Sequence, residues 1–389
     1  MITSFDQSIH FRKQFMINPE IIFLNHGSFG STPIPVFQDY LMWQHRLEMQ
    51  PVEFLGRQAS SLLRNSRSSL SNYLHTSIDE LVYVTNATTG INIIAHSLGL
   101  GEGDEVLTTD HEYGAMDKVW RFLSLKNKFK YVTANLQLPF TTTEKFLDDF
   151  SKFITRKTRA IFMSHITSPT AIIFPVKDIC KLARENGILT IIDGAHAPGQ
   201  MDLNLNDIGA DFYSGNLHKW LCAPKGAGFL FARKELQNRI EPLIISWGWD
   251  SVPGRQSNFI EEQEWTGTRD ISAFLSVPAA IRFQQENNWE NVRIKCHQLT
   301  RETQLEIAAM TGFEPFHPDS TDWYGQMGAS RLPDSLDVDC LKENLCVEHK
   351  IEIPVIKWGG MNLIRYSFQA YNSENDKKAL LAALMANIK

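Results

Sequence analysis

Between Ile188 and Ala232 the sequence sets a carboxylate, a primary amine, two histidines and an asparagine at the ends of short apolar runs. The first run, Ile188–Ile192, is β-branched at four of its five positions and closes on Asp193-Gly194. It reads as a buried strand that delivers an acid to its C-terminal end, with His196 just beyond. The second, Asp211–Tyr213, leads into Ser214-Gly215-Asn216-Leu217-His218-Lys219; the third, Ala227–Ala232, follows the turn Ala223-Pro224-Lys225-Gly226. Two strand ends and a polar loop therefore converge. Each residue also has a plainer reading, since an Asp closing a strand is often a helix cap and most lysines are solvated.

An acid on one strand and a lysine on the loop after a later strand suit pyridoxal phosphate. Its aldehyde needs an amine for a Schiff base, and its ring nitrogen needs a carboxylate to stay protonated and draw electrons. The stretch DGAHAPGQ…GADFYSGNLHKWLCAPKGAGFL resembles the class V, fold-type I pyridoxal-phosphate enzymes, and within them the isopenicillin N epimerase-like branch. The resemblance implies that Lys219 carries the Schiff base and Asp193 partners the ring nitrogen. It sets His196 near the phenolic oxygen, and Asn216 and His218 near the phosphate. Lys225, in a Pro-Lys-Gly turn, is the nearby competitor for the aldehyde.

Other loops extend the resemblance. Asn25-His26-Gly27-Ser28-Phe29-Gly30 follows the brief run Ile21–Leu24 and reads as a turn before a helix, or as a loop whose glycines admit a ligand. The branch carries a similar segment beside its active site, which makes Asn25 and His26 candidate substrate contacts. Thr85-Asn86-Ala87-Thr88-Thr89-Gly90 opens a helix from Ile91; such a turn is an ordinary cap or a phosphate site, and the match to the class V phosphate loop assigns Ala87 and Thr88 to the phosphate. In Asp110-His111-Glu112-Tyr113 a ring could stack on the cofactor; Tyr113 is favoured over His111. His165–Thr170 resembles the family's loop beneath the cofactor. Thr268, in Trp265-Thr266-Gly267-Thr268, is a helix cap or, by resemblance, reaches the cofactor phosphate of a second subunit and so implies a homodimer. Arg365 sits among apolar residues in MNLIRYSF, a costly place without an anion. A structural ion pair is one reading; the resemblance makes it the clamp on a substrate carboxylate.

These loops follow strands that alternate with helical segments, so a mostly parallel sheet with ligands at its carboxyl edge is expected. Expected strands are Leu81–Val84, Glu105–Thr108, 130–134 and Arg159–Ser164; expected helices are 34–75 with a break at Pro51, 143–154, 176–186 and 272–288. Glu241–Glu264, with Trp247, Trp249, Pro253 and Gly254, looks irregular. Beyond it, Leu336–His349 reads as helix, Ile351–Ile356 and Met361–Phe368 as strands and Ser373–Asn387 as helix. The fold class is therefore α/β: a seven-stranded, three-layer domain over 21–265, a smaller α/β domain over 266–389, and a lead of residues 1–20 packing on the latter.

Composition narrows the function. With 389 residues the chain exceeds one ordinary core. A net charge of −6 without a dense basic block argues against nucleic acid or anionic membranes as partners. Five scattered cysteines without CxxC spacing argue against a disulfide framework or zinc site. No leader or spanning run is visible, so the cytoplasm is expected. The resemblance implies an enzyme acting at Cα of a small amino-acid substrate, with epimerisation or racemisation the preferred outcome and C–S lysis or transamination the alternatives. A non-catalytic cofactor-binding protein is disfavoured by the joint presence of acid, lysine and arginine. A persulfide-forming desulfurase is also disfavoured, because no cysteine lies between Cys346 and Arg365.

Overall fold

The structure is a computed structural model that describes residues 4–250 and 257–388; Pro253 and Gly254 lie outside the described residues. After the two-residue strand β1 (Ile22–Phe23) come β2 (Leu81–Val84), β3 (Glu105–Thr109), β4 (Lys130–Ala134), β5 (Thr158–Ser164), β6 (Leu189–Asp193), β7 (Phe212–Asn216) and β8 (Gly228–Ala232). β2 to β8 form a seven-stranded sheet in the order β2-β8-β7-β6-β5-β3-β4. Every pairing from β4 across to β7 is parallel, and β8 runs antiparallel to both β7 and β2. The sheet is mostly parallel, as expected.

The alternation of side chains along each strand divides the core in two. Val82, Val84, Ile191 and Phe212 face one apolar cluster with Ile91, Met116 and Trp120, whereas Leu81, Tyr83, Ile192 and Tyr213 face the other. Both faces are therefore covered, which is why these strands read as continuous apolar runs. The helix Val176–Glu185 shows the matching pattern, burying Val176, Ile179, Cys180 and Ala183, the i, i+3, i+4, i+7 stripe of a helix packed on a sheet. Among the described residues no helix is long and apolar enough to cross a membrane.

The C-terminal part holds β9 (Met327–Leu332), β10 (Ile351–Glu352), β11 (Val355–Trp358) and β12 (Met361–Ser367), with an antiparallel sheet in the order β11-β12-β9. Several expectations are corrected here. Ile351–Ile356 is two strands, because Pro354 has no N–H to continue a ladder; its carbonyl instead accepts the Arg365 N–H at 3.0 Å. β9, sequence MGASRL, escaped notice because it shows no alternation. The break expected at Pro51 within helix 34–75 is present: Ile34–Met49 ends before it, and Pro51–Glu53, a π-helical turn Phe54–Gln58 and Ala59–Tyr73 follow. The helix 272–288 breaks before Pro278 into Ser272–Leu275 and Val277–Glu286, since proline cannot supply the N–H that a continuous helix needs.

The N-terminal segment joins the two parts. Phe11 packs edge-on against Trp289, and Phe15 against Phe283 and Tyr371. The sequence reading opens the large domain at Ile21, yet β1 pairs in parallel with β10 and is not a strand of the large sheet. Residues beyond β1 then cross to the loop that carries Lys219. Thr32 Oγ1 donates to the Ala223 carbonyl at 3.1 Å, and Lys225 Nζ donates to the Gly30 carbonyl at 2.9 Å. Gly30 has φ +68°, and a Cβ there would lie 2.1 Å from the His218 carbonyl oxygen and 2.8 Å from Lys219 Cα. Only glycine fits so close an approach. Gly30→Ala is expected to destabilise the fold by about 2–4 kcal/mol, measured as a lowered urea midpoint, with weakened retention of any ligand held by Lys219.

Candidate active site

The carboxyl ends of β5, β6 and β7 and the loop after β2 surround a cavity of about 220 Å³. Its wall brings together Asp193, His196, Asn216, His218, Lys219, Ala87, Thr88 and Tyr113, together with Ser28, Phe29, Ser164 and Ser168. Eight residues singled out from the sequence for a ligand thus meet in one place. The remaining five, His111, Asn25, His26, Thr268 and Arg365, are not among the lining residues.

Asp193 closes β6 in the register of Ser164 and Ser214. Its Oδ1 accepts the Ala195 N–H at 2.9 Å, and no protein group among the described residues bonds its other oxygen. Burial pushes this carboxyl up, while the Ala195 N–H and the Lys219 charge pull it back. Lys219 is pushed down to about 7, first by burial and then by the Arg365 guanidinium, with Asp193 opposing. A neutral amine is therefore available near neutral pH, as an aldehyde-capturing lysine requires. Lys225 is bound to Gly30 and is absent from the cavity wall, so Lys219 is the amine that faces the ligand space.

Three residues hold the rim at the helix Ala87–Ser97, which begins earlier than the expected Ile91 because Asn86 caps it. Asn86 Oδ1 accepts the Thr89 N–H at 2.8 Å, and Asn216 Oδ1 accepts the Ala87 N–H at 2.8 Å. The Ala87 donor assigned to a phosphate is therefore already taken by Asn216, and of the first three helical N–H groups that of Thr88 remains at the cavity. His218 donates from Nδ1 to the Ala227 carbonyl at 3.0 Å, leaving Nε2 for a ligand. Burial, and secondarily the neighbouring lysines, lower it to about 4.

The two candidate rings lie in different surroundings. Tyr113 is 48% exposed and lines the cavity. His111 is fully buried, its ring 4.5 Å from that of Trp358 and 5.5 Å from that of Phe174, with Nδ1 2.8 Å from Thr170 Oγ1. His111 is thus a core residue and the stacking expectation for it is corrected. Between them Glu112 turns inward and accepts from the Ser164 N–H and Oγ at 2.8 and 2.6 Å. Burial, with the Asp193 charge adding to it, lifts Glu112 to about 8.

Asn25 and His26 are also relocated. His26 is buried, with Nε2–H donating to the Lys219 carbonyl at 3.0 Å and Nδ1 accepting from Tyr371 at 2.9 Å. It grips the backbone of the lysine loop from behind. Asn25 Nδ2 donates to Glu352 at 2.9 Å, so the loop turns Ser28 rather than Asn25 toward the cavity. Thr268 is exposed and lies outside the lining of its own chain's cavity.

Arg365, mid-β12, is buried. Nη1 donates to the Ser168 carbonyl and Oγ at 2.7 and 3.1 Å, and Nη2 donates to Ser28 Oγ at 3.0 Å. Nε has no partner, and no carboxylate among the described residues pairs with the group. Two lining serines thus stand between this cation and the cavity. Sequence reasoning did not single out Ser28, Ser168 or Ser164; their position at or just after strand ends was the available signal.

The class-V aminotransferase family model matches residues 34–380. The chain belongs to that family. It is 33% identical over 385 residues to an isopenicillin N epimerase of Amycolatopsis lactamdurans, covering 96% of each chain. It is 27% identical to an L-cysteine desulfhydrase of Arabidopsis thaliana, over 94% of this chain and 87% of that one. A solved apo cysteine desulfurase from Thermococcus onnurineus NA1 superposes with a TM-score of 0.84 at 21% identity, over 98% of both chains, and bears on the fold alone. This class-V protein is a pyridoxal-phosphate-dependent enzyme of fold type I. Its cavity fits that cofactor: a carboxylate with an unbonded oxygen, a lysine lowered toward neutrality and a helix N-terminus surround one space. Because only the neutral amine attacks an aldehyde, cofactor capture by the apo-enzyme should quicken with pH up to about 7 and then level, instead of rising to the ordinary lysine value. Stopped-flow absorbance across pH 5–10 (roughly the range in which lysines titrate) measures this.

Proposed function

We propose that this class-V enzyme is an amino-acid epimerase or racemase that moves a proton at Cα, working as a cytoplasmic homodimer. The observation that carries the reading is Arg365, a buried guanidinium without a carboxylate partner among the described residues, beside a lysine brought near neutrality. A buried cation with an unpartnered Nε invites a small anion, and an α-carboxylate meets it in planar, two-point fashion. Its resident partners, Ser28 and Ser168, are neutral and readily displaced or shared. The identity of 33% with an isopenicillin N epimerase over nearly the whole of both chains supports the choice of outcome.

Pyridoxal phosphate, when bound, supplies the electron sink for the bond broken at Cα. Asp193 keeps a proton on the ring nitrogen through its unbonded oxygen. Lys219 Nζ takes the Cα proton; burial first, and the neighbouring Arg365 charge second, bring Nζ down to about 7, so that the free amine is present near neutral pH. Inversion needs a second proton carrier. His26 is spent on the Lys219 carbonyl and Tyr371, whereas Tyr113 lines the cavity and its hydroxyl acts electrostatically on the Arg365 guanidinium. Tyr113 is therefore assigned that task. Thr268 is assigned to the neighbouring subunit's cofactor, and five unpaired cysteines favour a reducing compartment. No cysteine lines the cavity, which weighs against a persulfide-forming desulfurase.

In deuterated water the product amino acid should carry deuterium at Cα with inverted configuration, read by chiral chromatography and mass spectrometry. Stoichiometric pyruvate from a cysteine derivative would mean β-elimination instead, the reaction class that the desulfhydrase relative suggests; dependence on a keto acid would mean transamination. For Arg365→Ala, amino-acid binding should weaken by about 2–4 kcal/mol, the usual loss when one half of a desolvated charge pair is removed. Unchanged amino-acid affinity, followed spectrophotometrically, would sink the clamp.

A further inference from the structure

Trp220 follows the lysine in sequence, but its side chain turns away into the core and is fully buried. Its place is fixed from several sides. Gly199, at φ +89°, lets the backbones approach so closely that a Cβ there would lie 2.3 Å from the Trp220 carbonyl. Gln284 Nε2 donates to that carbonyl at 2.8 Å, and the His26 ring lies 5.1 Å from the indole. Held this way, the indole Nε1–H donates to His196 Nδ1 at 3.3 Å. On the far side of the same imidazole, Nε2 is 3.3 Å from Lys219 Nζ.

An indole nitrogen donates and never accepts. His196 Nδ1 must therefore offer a lone pair, and in the neutral ring the hydrogen belongs on Nε2. Burial, followed by the Lys219 and Arg365 charges, holds His196 well below its ordinary value, so the ring is neutral. We propose that Trp220 is a positioning residue that locks His196 in its Nε2–H tautomer and thereby holds Lys219 as the free amine. With Nε2–H donating to Nζ, protonating the lysine would set donor against donor. Charging Lys219 then requires His196 to give up its bond to Trp220.

Other groups around Nζ act in known directions. Asp193, from the end of β6, favours the charged amine; Arg365, from β12, favours the neutral one. His26 and His218 are themselves lowered to about 3 and about 4, mainly by burial. Lys225 is lowered by burial and bonded to Gly30. None of these fixes the direction of the hydrogen bond between His196 and Lys219. Among the described residues Trp220 alone does, because it alone contacts the opposite ring nitrogen.

The inference rests on Lys219 being the residue that captures the cofactor aldehyde, and its test separates the two ideas. In wild-type apo-enzyme, nitrogen-15 NMR of His196 should show the hydrogen on Nε2; a hydrogen on Nδ1 overturns the proposal without any substitution. In Trp220→Phe the tautomer should reverse. The midpoint of cofactor capture against pH should rise by about one unit, the tenfold that one hydrogen bond represents. A rate lowered equally at all pH values, with an unmoved midpoint, would show a packing role only and overturn the proposal. In the His196→Gln background, whose amide has no tautomer to lock, Trp220→Phe should shift nothing further; a full shift there also overturns it. Reduction and peptide mapping should place the captured cofactor on Lys219. A label elsewhere would remove the assignment of the lysine while leaving the tautomer result to stand.

Discussion

Two cations and one carboxylate share the floor of this site, and that imbalance governs the rest. Lys219 and Arg365 are drawn out of water with only Asp193 to offset them. In a medium of low effective dielectric such an excess of positive charge is expensive. The protein relieves it in two ways. Lys219 loses its proton near neutrality, and Arg365 shelters among neutral oxygens from Ser168 and Ser28. Both are makeshift arrangements, and on the proposed reading both would ease when a phosphate-bearing cofactor and a carboxylate-bearing substrate arrive. Affinity for anionic guests is thus written into the charge deficit of the empty cavity as much as into any contact.

The scaffold that keeps these charges apart from solvent is a sheet covered on both faces, with its functional residues on loops at one edge. What distinguishes this chain is how those loops are tied together from outside the sheet. The segment between β1 and Ile34 is bonded to β10 at one end and to the lysine loop at the other, through His26, Gly30 and Thr32. The lysine is therefore positioned by residues nearly two hundred places earlier in sequence, and those residues are in turn anchored to strands more than a hundred places later. Local geometry at Lys219 is a property of the whole fold.

That dependence explains which features the sequence disclosed. β5, β6 and β8 were legible because strands buried on both faces must be apolar throughout. Asp193, Lys219 and Tyr113 were legible because strand-end loops carry chemistry. β9 was not, since its Gly, Ser and Arg residues pair with β12 through backbone bonds that leave no periodic trace. His26 was misread as a ligand contact, because nothing local reveals that its partners are a carbonyl at Lys219 and a hydroxyl at Tyr371. His111 was ambiguous for the same reason: Trp358, which covers it, is remote in sequence. Ser28 and Ser168 gained meaning only when β12 brought Arg365 between them.

The strap between β1 and the lysine loop also sets an order of events in biosynthesis. Ile22 and Leu24 take their backbone partners from Lys350 and Glu352, and the Leu24 carbonyl takes its own from Ser367. As domains fold while the chain is still being made, N-terminal parts first, the large sheet can assemble early. The segment after β1 must wait, because the strands that anchor it are made more than three hundred residues later. The lysine loop consequently lacks its anchored clamp until β10 and β12 have been made. A nascent chain not yet extended through β12 therefore holds the right residues without the anchored strap that keeps them in place.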